Sequence, residues 1–389
     1  MLAQAAPPGA ASPAQGIPAI DALRGAAILC VVLQHVQIHI PQEQSLLGKV
    51  LPAPLFNLVF HSGYYGAIIF FVISGFLITH TSIQRWGSLQ SLPWGAFLWR
   101  RCARLYPCLL LVSLPLGPHL RELPDFLIGN SHLAQAAAGA PALHMDKLDA
   151  TVGYSPEAWN PLWSLSLGQA FYLAFPLLCL LSRPAGRHAL AAALLLIAML
   201  GPFARIAFGG NENWGVHACL SGIGGIAIGC LAALYASRPE GHPGLRRALW
   251  PIGALFFVLV FFLRQATATL ELTALGLHIT LLEIGVACLL VGWSLRLRPA
   301  KPALLAPMRW AGRNSYEIYL THMFPVLLLT AASCRNSGGE VATWWRAGAL
   351  SAASVLAILS SAILGGLVAR WFSTPVRRWL NRIAPRSGG

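Results

Sequence analysis

The sequence predicts an all-α, polytopic membrane protein with about ten transmembrane helices and both termini cytoplasmic. Three observations carry this. Of its 389 residues 56% are hydrophobic and only 10% charged, where a soluble domain holds about 25% charged residues. Apolar runs of roughly the 20 residues that span hydrocarbon recur along the whole chain. With the N-terminus placed inside, 20 of the 27 Lys and Arg residues fall on the cytoplasmic side of the alternation, as topogenic charge does.

The first 16 residues, MLAQAAPPGAASPAQG, are small, Pro-rich and uncharged. They lack the basic start and apolar centre of a signal peptide, so 1–16 reads as a disordered leader and the first span as an uncleaved anchor. The spans are expected at 18–39, 63–82, 95–116, 166–182, 188–207, 215–236, 247–263, 270–294, 315–333 and 347–371, within one transmembrane domain over 17–380. Residues 381–389 form a cytoplasmic tail. The fourth span is short and makes a hairpin with the fifth across SRPAGR. The longest loop, 117–165, falls outside. No internal repeat of the kind that builds two-halved transporters is visible.

The formal net charge of +14 raises nucleic acid as a partner, but the basic residues punctuate apolar runs and topogenic charge explains them. Of the 27, 24 are Arg, the side chain that suits phosphate or carboxylate. The eight cysteines show neither metal-ligand spacing nor CxxC. They read as reduced core residues, with only Cys334 clearly near a helix end. No metal is expected.

Ionisable groups inside hydrocarbon are costly and need an explanation. The first span, IPAIDALRGAAILCVVLQHVQIHI, carries Asp21, Arg24 and His35. Arg24 and His35 are eleven residues apart, about 20° past three turns and about 16.5 Å along the axis, so they share a face. Asp21 precedes Arg24 by one turn and can pair with it. An imidazole at mid-membrane can act as a general base near neutral pH; it can also simply bond a neighbour, with Arg24 a headgroup anchor. In GAIIFFVISGFLITH, Ser74–Gly75 interrupts an apolar run, with helix packing the default reading and a ligand-facing Ser74 the alternative. FLWRRCARLYP places Arg100, Arg101 and Arg104 together at a helix start, either as an anion site or as positive-inside charge. WSLSLGQAFYL offers Trp163 and Ser166 at the mouth of the fourth span. In WAGRNSYEIYLTHMFPV, Ser315, Tyr319 and His322 share a face and either line a polar channel or bond one another. Glu283 lies inside the eighth span and needs a partner that the sequence does not name.

Taken together, IDALRGAAILCVVLQH, GAIIFFVISGFLI, FLWRRCARLYP, WSLSLGQAFYL, GRNSYEIYLTH and FSTPVRR, in this order, resemble the membrane acyltransferase-3 family. The resemblance runs from about Ile17 to Arg378. It implies about ten spans and an O-acyltransferase that takes an acyl group, acetyl above all, from cytoplasmic acyl-coenzyme A to a hydroxyl of a carbohydrate or glycolipid acceptor outside the membrane, or to a small molecule. The family's Arg and His of the first span, separated by ten residues, fall on Arg24 and His35, and its Arg-rich stretch on Arg100, Arg101 and Arg104. On this reading His35, Arg24 and Asp21 are catalytic. The three arginines bind the donor, and Ser74, Trp163, Ser166, Tyr319 and His322 contact substrate, with Tyr154, Trp159 and Trp163 suited to stacking on sugar faces. His35 acts either as base or as a covalent acyl carrier. Two departures stand out: Gly168, followed by Gln169, replaces the family's acid, and Ser373 replaces its Glu before the C-terminal Pro. The extra esterase-like C-terminal domain of some members is absent, so the membrane unit is expected to act alone or with a partner. A transporter or flippase, or a non-catalytic scaffold, are the competing classes. The expected location is a bacterial inner membrane, with membrane lipid around the bundle and no nucleic acid partner.

Overall fold

A computed structural model describes residues 17–113, 157–208, 219–238, 243–262, 276–294, 303–335 and 343–384. Among these residues every regular element is helical. The long helices are α1 (Pro18–His39), α4 (Gly63–Trp86), α5 (Trp94–Ser113), α6 (Trp163–Leu181), α7 (Gly186–Phe208), α8 (Cys219–Ala236), α9 (Pro243–Phe262), α10 (Leu277–Ser294) and α14 (Thr343–Val368). Short helices α2 (Leu46–Val50) and α3 (Ala53–Phe60) follow α1. The segments α11 (Ala306–Arg313), α12 (Ser315–Thr321) and α13 (Met323–Arg335) form one broken rod, and α15 (Thr374–Arg382) continues α14 through a π-helical turn at Ala369–Ser373.

Among the described residues six stretches are long and apolar enough to cross a membrane: Pro18–His39, Gly63–Trp86, Trp163–Leu181, Gly186–Ala207, Leu277–Ser294 and Arg346–Arg382. Helices also stand at the other four expected positions, each with a reason for falling short. Three arginines interrupt α5, the apolar parts of α8 and α9 are short (Gly222–Ala236 and Arg247–Phe262), and the ninth rod breaks at His322. The fourth span starts earlier than its hydropathy suggested, at Trp163, because WSLS joins the helix. Helices α2 and α3 were not anticipated. Eight residues of α3 are too few to register as a span, although Phe56 and Phe60 bury against Leu33 of α1.

The helices meet through glycines. A Cβ on Gly25 would lie 1.9 Å from the Met308 carbonyl oxygen, and one on Gly312 would lie 1.8 Å from that of Asp21. So α1 and α11 touch backbone to backbone at the level of Arg24. The same holds for α4 and α8, where a Cβ on Gly75 would stand 1.9 Å from the Ile226 oxygen and one on Gly229 2.0 Å from that of Val72. Without a hydrophobic drive between helices in lipid, such close approach is what holds a bundle together. The largest buried cluster centres on α4, with Ile68, Val72 and Phe76 wholly enclosed.

The buried acid of α10 finds its partner on α7. Arg205 Nη2 lies 3.5 Å from Glu283 Oε2 and donates to Thr280 Oγ1 at 2.7 Å. Arg205 is itself buried. All six described cysteines are free thiols: Cys108, Cys179 and Cys230 are buried, but Cys102 is exposed. It follows Arg101 in the chain but turns away from the cavity that Arg101 lines, so the expectation of a core role fails there.

Candidate active site

The expected residues divide between a cavity and a pair of imidazoles. Arg24 on α1 points across the Gly25–Gly312 seam, and its Nη2 donates to Ser315 Oγ at 2.8 Å. Both line a cavity of about 130 Å³. Its wall continues through Ala67, Phe70, Phe71, Ile73, Ser74, Leu77 and Ile78 of α4, Arg101, Arg104 and Leu105 of α5, Ser164, Leu165, Gly168, Gln169 and Tyr172 of α6, Ile226 of α8, and Tyr316 and Tyr319 of α12. Among the described residues three arginines line this space and no Asp or Glu does. The interior therefore favours a ligand carrying several negative charges, above all phosphates. Much of the remaining wall is aliphatic or aromatic, suited to an uncharged extension.

Of the three clustered arginines, Arg101 and Arg104 line the cavity and Arg100 is exposed away from it. Arg101 is held over the rings of Phe97 and Tyr172, 5.2 and 5.5 Å from their centroids. The helix start expected here is elsewhere: α5 begins at Trp94, so the arginines lie two to three turns inside it. An anion drawn to this stretch would meet their side-chain charges rather than the free backbone N–H groups of a helix start.

Ser74 and Gly75 each take one of the two readings offered. Ser74 lines the cavity and Gly75 packs against α8. Of the two serines in WSLS, Ser164 reaches the cavity; Ser166, two residues or about 200° round the helix, is buried elsewhere. Trp163 is buried with its edge on Phe71, and Trp159 is wholly enclosed with Cys108, Leu320 and Met323. Neither offers a face to a sugar, and Tyr154 lies outside the described residues. Asp21 supplies its carbonyl to the Gly312 contact, while the side-chain bond that fixes Arg24 goes to Ser315.

Ser315 and Tyr319 line the cavity and His322 does not, and the three side chains bond other groups rather than one another. Ser315 bonds Arg24, and the Tyr319 hydroxyl bonds Ser164 Oγ at 2.8 Å and donates to the Pro161 carbonyl at 3.0 Å. At the break between α12 and α13, His322 packs against His35 edge to face, with ring centroids 4.9 Å apart. His322 is fully buried and His35 partly so. The carbonyls fix the tautomers. His35 Nδ1 lies 2.9 Å from the Val31 oxygen and His322 Nδ1 2.8 Å from the Tyr319 oxygen. A carbonyl only accepts, so both Nδ1 atoms carry hydrogen, and in the neutral rings both Nε2 atoms hold lone pairs. His322 Nε2 faces His35 Nδ1 at 3.4 Å, a weak second branch of the same donor. His35 Nε2 is left as the basic nitrogen.

The imidazole pair does not line the cavity. Tyr319, a cavity residue whose ring centroid is 5.9 Å from that of His322, links the two. Beyond His35, near the far end of α1, a second cavity of about 510 Å³ is lined by Gln34, Gln37, Ile38, His61, Tyr64, Tyr65 and His278. Sequence reasoning missed both glutamines of α1 and noted Gln169 only as part of a departure from the family pattern. An uncharged amide in an apolar run stands out less than an ion, yet it too costs free energy when buried without a partner.

A family model described as an acyltransferase domain matches residues 17–368. The chain is 23% identical to the peptidoglycan O-acetyltransferase OatA of Listeria monocytogenes, over 93% of the chain and 56% of that protein. It is 24% identical to the O-acetyltransferase OatA of Staphylococcus aureus, over 93% and 57% respectively. The chain thus spans just over half the length of these relatives, and no solved structure matches it. The family model runs from the start of α1 to the end of α14 and takes in the arginine-lined cavity and the imidazole pair, so the chain belongs to the membrane acyltransferase-3 family.

Proposed function

We propose that the protein transfers an acetyl group from acetyl-coenzyme A, supplied from the cytoplasm, to a hydroxyl of a glycan or glycolipid on the outer side of a bacterial inner membrane. The observation that carries this reading is the cavity in which Arg24, Arg101 and Arg104 converge, with no Asp or Glu among its described lining residues, and in whose wall Tyr319 abuts the His35–His322 pair. The matched relatives, named as O-acetyltransferases, one of them of peptidoglycan, support the choice of acetyl and glycan. The distribution of Lys and Arg supports ten spans with the cavity's arginines on the inner side.

The donor contributes an activated thioester. Arg101 and Arg104 hold its phosphates, and Arg24, steadied by Ser315, offers a further positive charge. His35 Nε2 takes the proton of the acceptor hydroxyl as its oxygen attacks the thioester carbonyl and the thiolate departs. Alternatively, Nε2 itself accepts the acetyl group and passes it on. His322 holds the His35 ring, and its backbone-bonded Nδ1 keeps its own Nε2 an acceptor. The second cavity offers amides, phenols and imidazoles, with no Asp, Glu, Lys or Arg among its described lining residues, which suits a polyol approaching from the opposite end of α1.

The test supplies labelled acetyl-coenzyme A to membrane vesicles of known orientation and follows label into carbohydrate. The expected result is transfer from the cytoplasmic face, abolished by His35→Ala at equal expression. Solute accumulation without acetyl transfer would instead make the protein a transporter.

A further inference from the structure

Gln169 lines the arginine-bearing cavity, is 4% exposed, and among the described residues neither its Oε1 nor its Nε2 has a hydrogen-bond partner. A buried carboxamide with both atoms unpaired is rare unless something else completes it. Beside it, a Cβ on Gly168 would meet nothing within 4 Å, so the wall is open where the amide stands. Together they form a prepared but unmatched polar point in a largely apolar stretch.

Its position says what it matches. Tyr172, Gly168 and Ser164 follow one another at helical spacing down the cavity face of α6, about 6 Å per step. At one end Arg101 lies over Tyr172; at the other Ser164 bonds Tyr319, next to the imidazoles. Gln169 is therefore midway between the anion-binding end and the reacting end. A carboxamide offers one acceptor and one donor group and no charge. It has no advantage for a phosphate, which the guanidiniums serve, and it complements a group that itself donates and accepts. We propose that Gln169 binds an amide in the arm that joins the donor's phosphates to its thioester, with the space at Gly168 letting the arm pass. This rests on the coenzyme A reading above and deepens it: Gln169 is a specificity-determining residue for an amide-bearing donor.

The test is equilibrium binding to the full-length protein in lipid nanodiscs, with two probes. One is coenzyme A; the other is adenosine 3′,5′-bisphosphate, a phosphate-bearing end without the arm. Gln169→Leu is expected to weaken coenzyme A about tenfold, as loss of paired hydrogen bonds does, while leaving the bisphosphate within about twofold. Equal affinity of Gln169→Leu and the unsubstituted protein for coenzyme A would overturn the inference, and so would a parallel loss for both probes. A second measurement needs no variant: an alkyl-thiol diphosphate nucleotide of the same length but without amides should bind the unsubstituted protein about tenfold more weakly than coenzyme A, and equal binding would also overturn it. If the unsubstituted protein binds coenzyme A not at all, the donor reading falls and takes this inference with it. If it binds coenzyme A but Gln169→Leu changes nothing, only this inference falls.

Discussion

Replacing His322 in two ways separates the imidazole that reacts from the one that holds it. Asn at 322 places an amide nitrogen near the original Nδ1 and keeps the 2.8 Å bond to the Tyr319 carbonyl, but cannot reach His35. Gln places its terminal oxygen near the original Nε2, opposite His35 Nδ1 at 3.4 Å. The interaction at stake is one long, neutral hydrogen bond, and such bonds contribute about 0.5–1.5 kcal/mol. His35 keeps its other anchor to the Val31 carbonyl at 2.9 Å. Loss of the His322 contact should therefore lower kcat about 2- to 13-fold, with little change in the donor's KM. His322→Gln should fall by less than about threefold. Removing a general base costs about 10²- to 10⁴-fold, so His35→Ala should lie well below both. The assay is acetyl transfer to carbohydrate in membranes matched for protein content. If His322→Asn proves as inactive as His35→Ala, or if His35→Ala keeps a tenth of the activity, the assignment of base and positioning residue is refuted.

The cavity arginines should behave unlike their neighbour: Arg101→Gln and Arg104→Gln each raise the donor's KM about tenfold or more, the scale of a charged hydrogen bond, whereas exposed Arg100→Gln shifts it by less than about twofold. Donor titrations on the three variants check this. Gly312→Ala places a methyl 1.8 Å from the Asp21 carbonyl oxygen and should cost about 1–3 kcal/mol or more by overpacking, whereas Gly168→Ala, with open space around it, should leave the melting temperature in detergent unchanged. Arg205→Met leaves Glu283, whose Oε1 has no hydrogen-bond partner, buried without its cation, at about 3–5 kcal/mol. Adding Glu283→Leu should recover most of the lost melting temperature, and a double variant no more stable than the single one would contradict the pairing.

Helix positions were legible because hydropathy reports burial in lipid directly, and all ten expected stretches carry helices. Their limits were less legible. The start at Trp163 comes from polar residues that join the helix because their side chains find partners, as Ser164 does with Tyr319. In the candidate site, Arg24, Ser74, Arg101, Arg104 and Tyr319 stood out because an ion or hydroxyl in an apolar run demands an explanation, and the structure gathers them around one cavity. Helical phase decided the misplacements. Arg100 and Ser166 share a motif with cavity residues but turn away from the space. The pairing of His35 with His322 joins residues 287 positions apart, as does that of Arg205 with Glu283 across 78. Periodicity within one helix carries no information about which helix lies opposite.

The junction between Gly25 and Gly312 has a mechanical meaning. Two strands of main chain that interlock so closely, with no side chain between them, cannot slip past each other without first separating. Arg24, next to Gly25 in the chain, is therefore held at one level relative to α11 and to Ser315 beyond it, which its Nη2 meets at 2.8 Å.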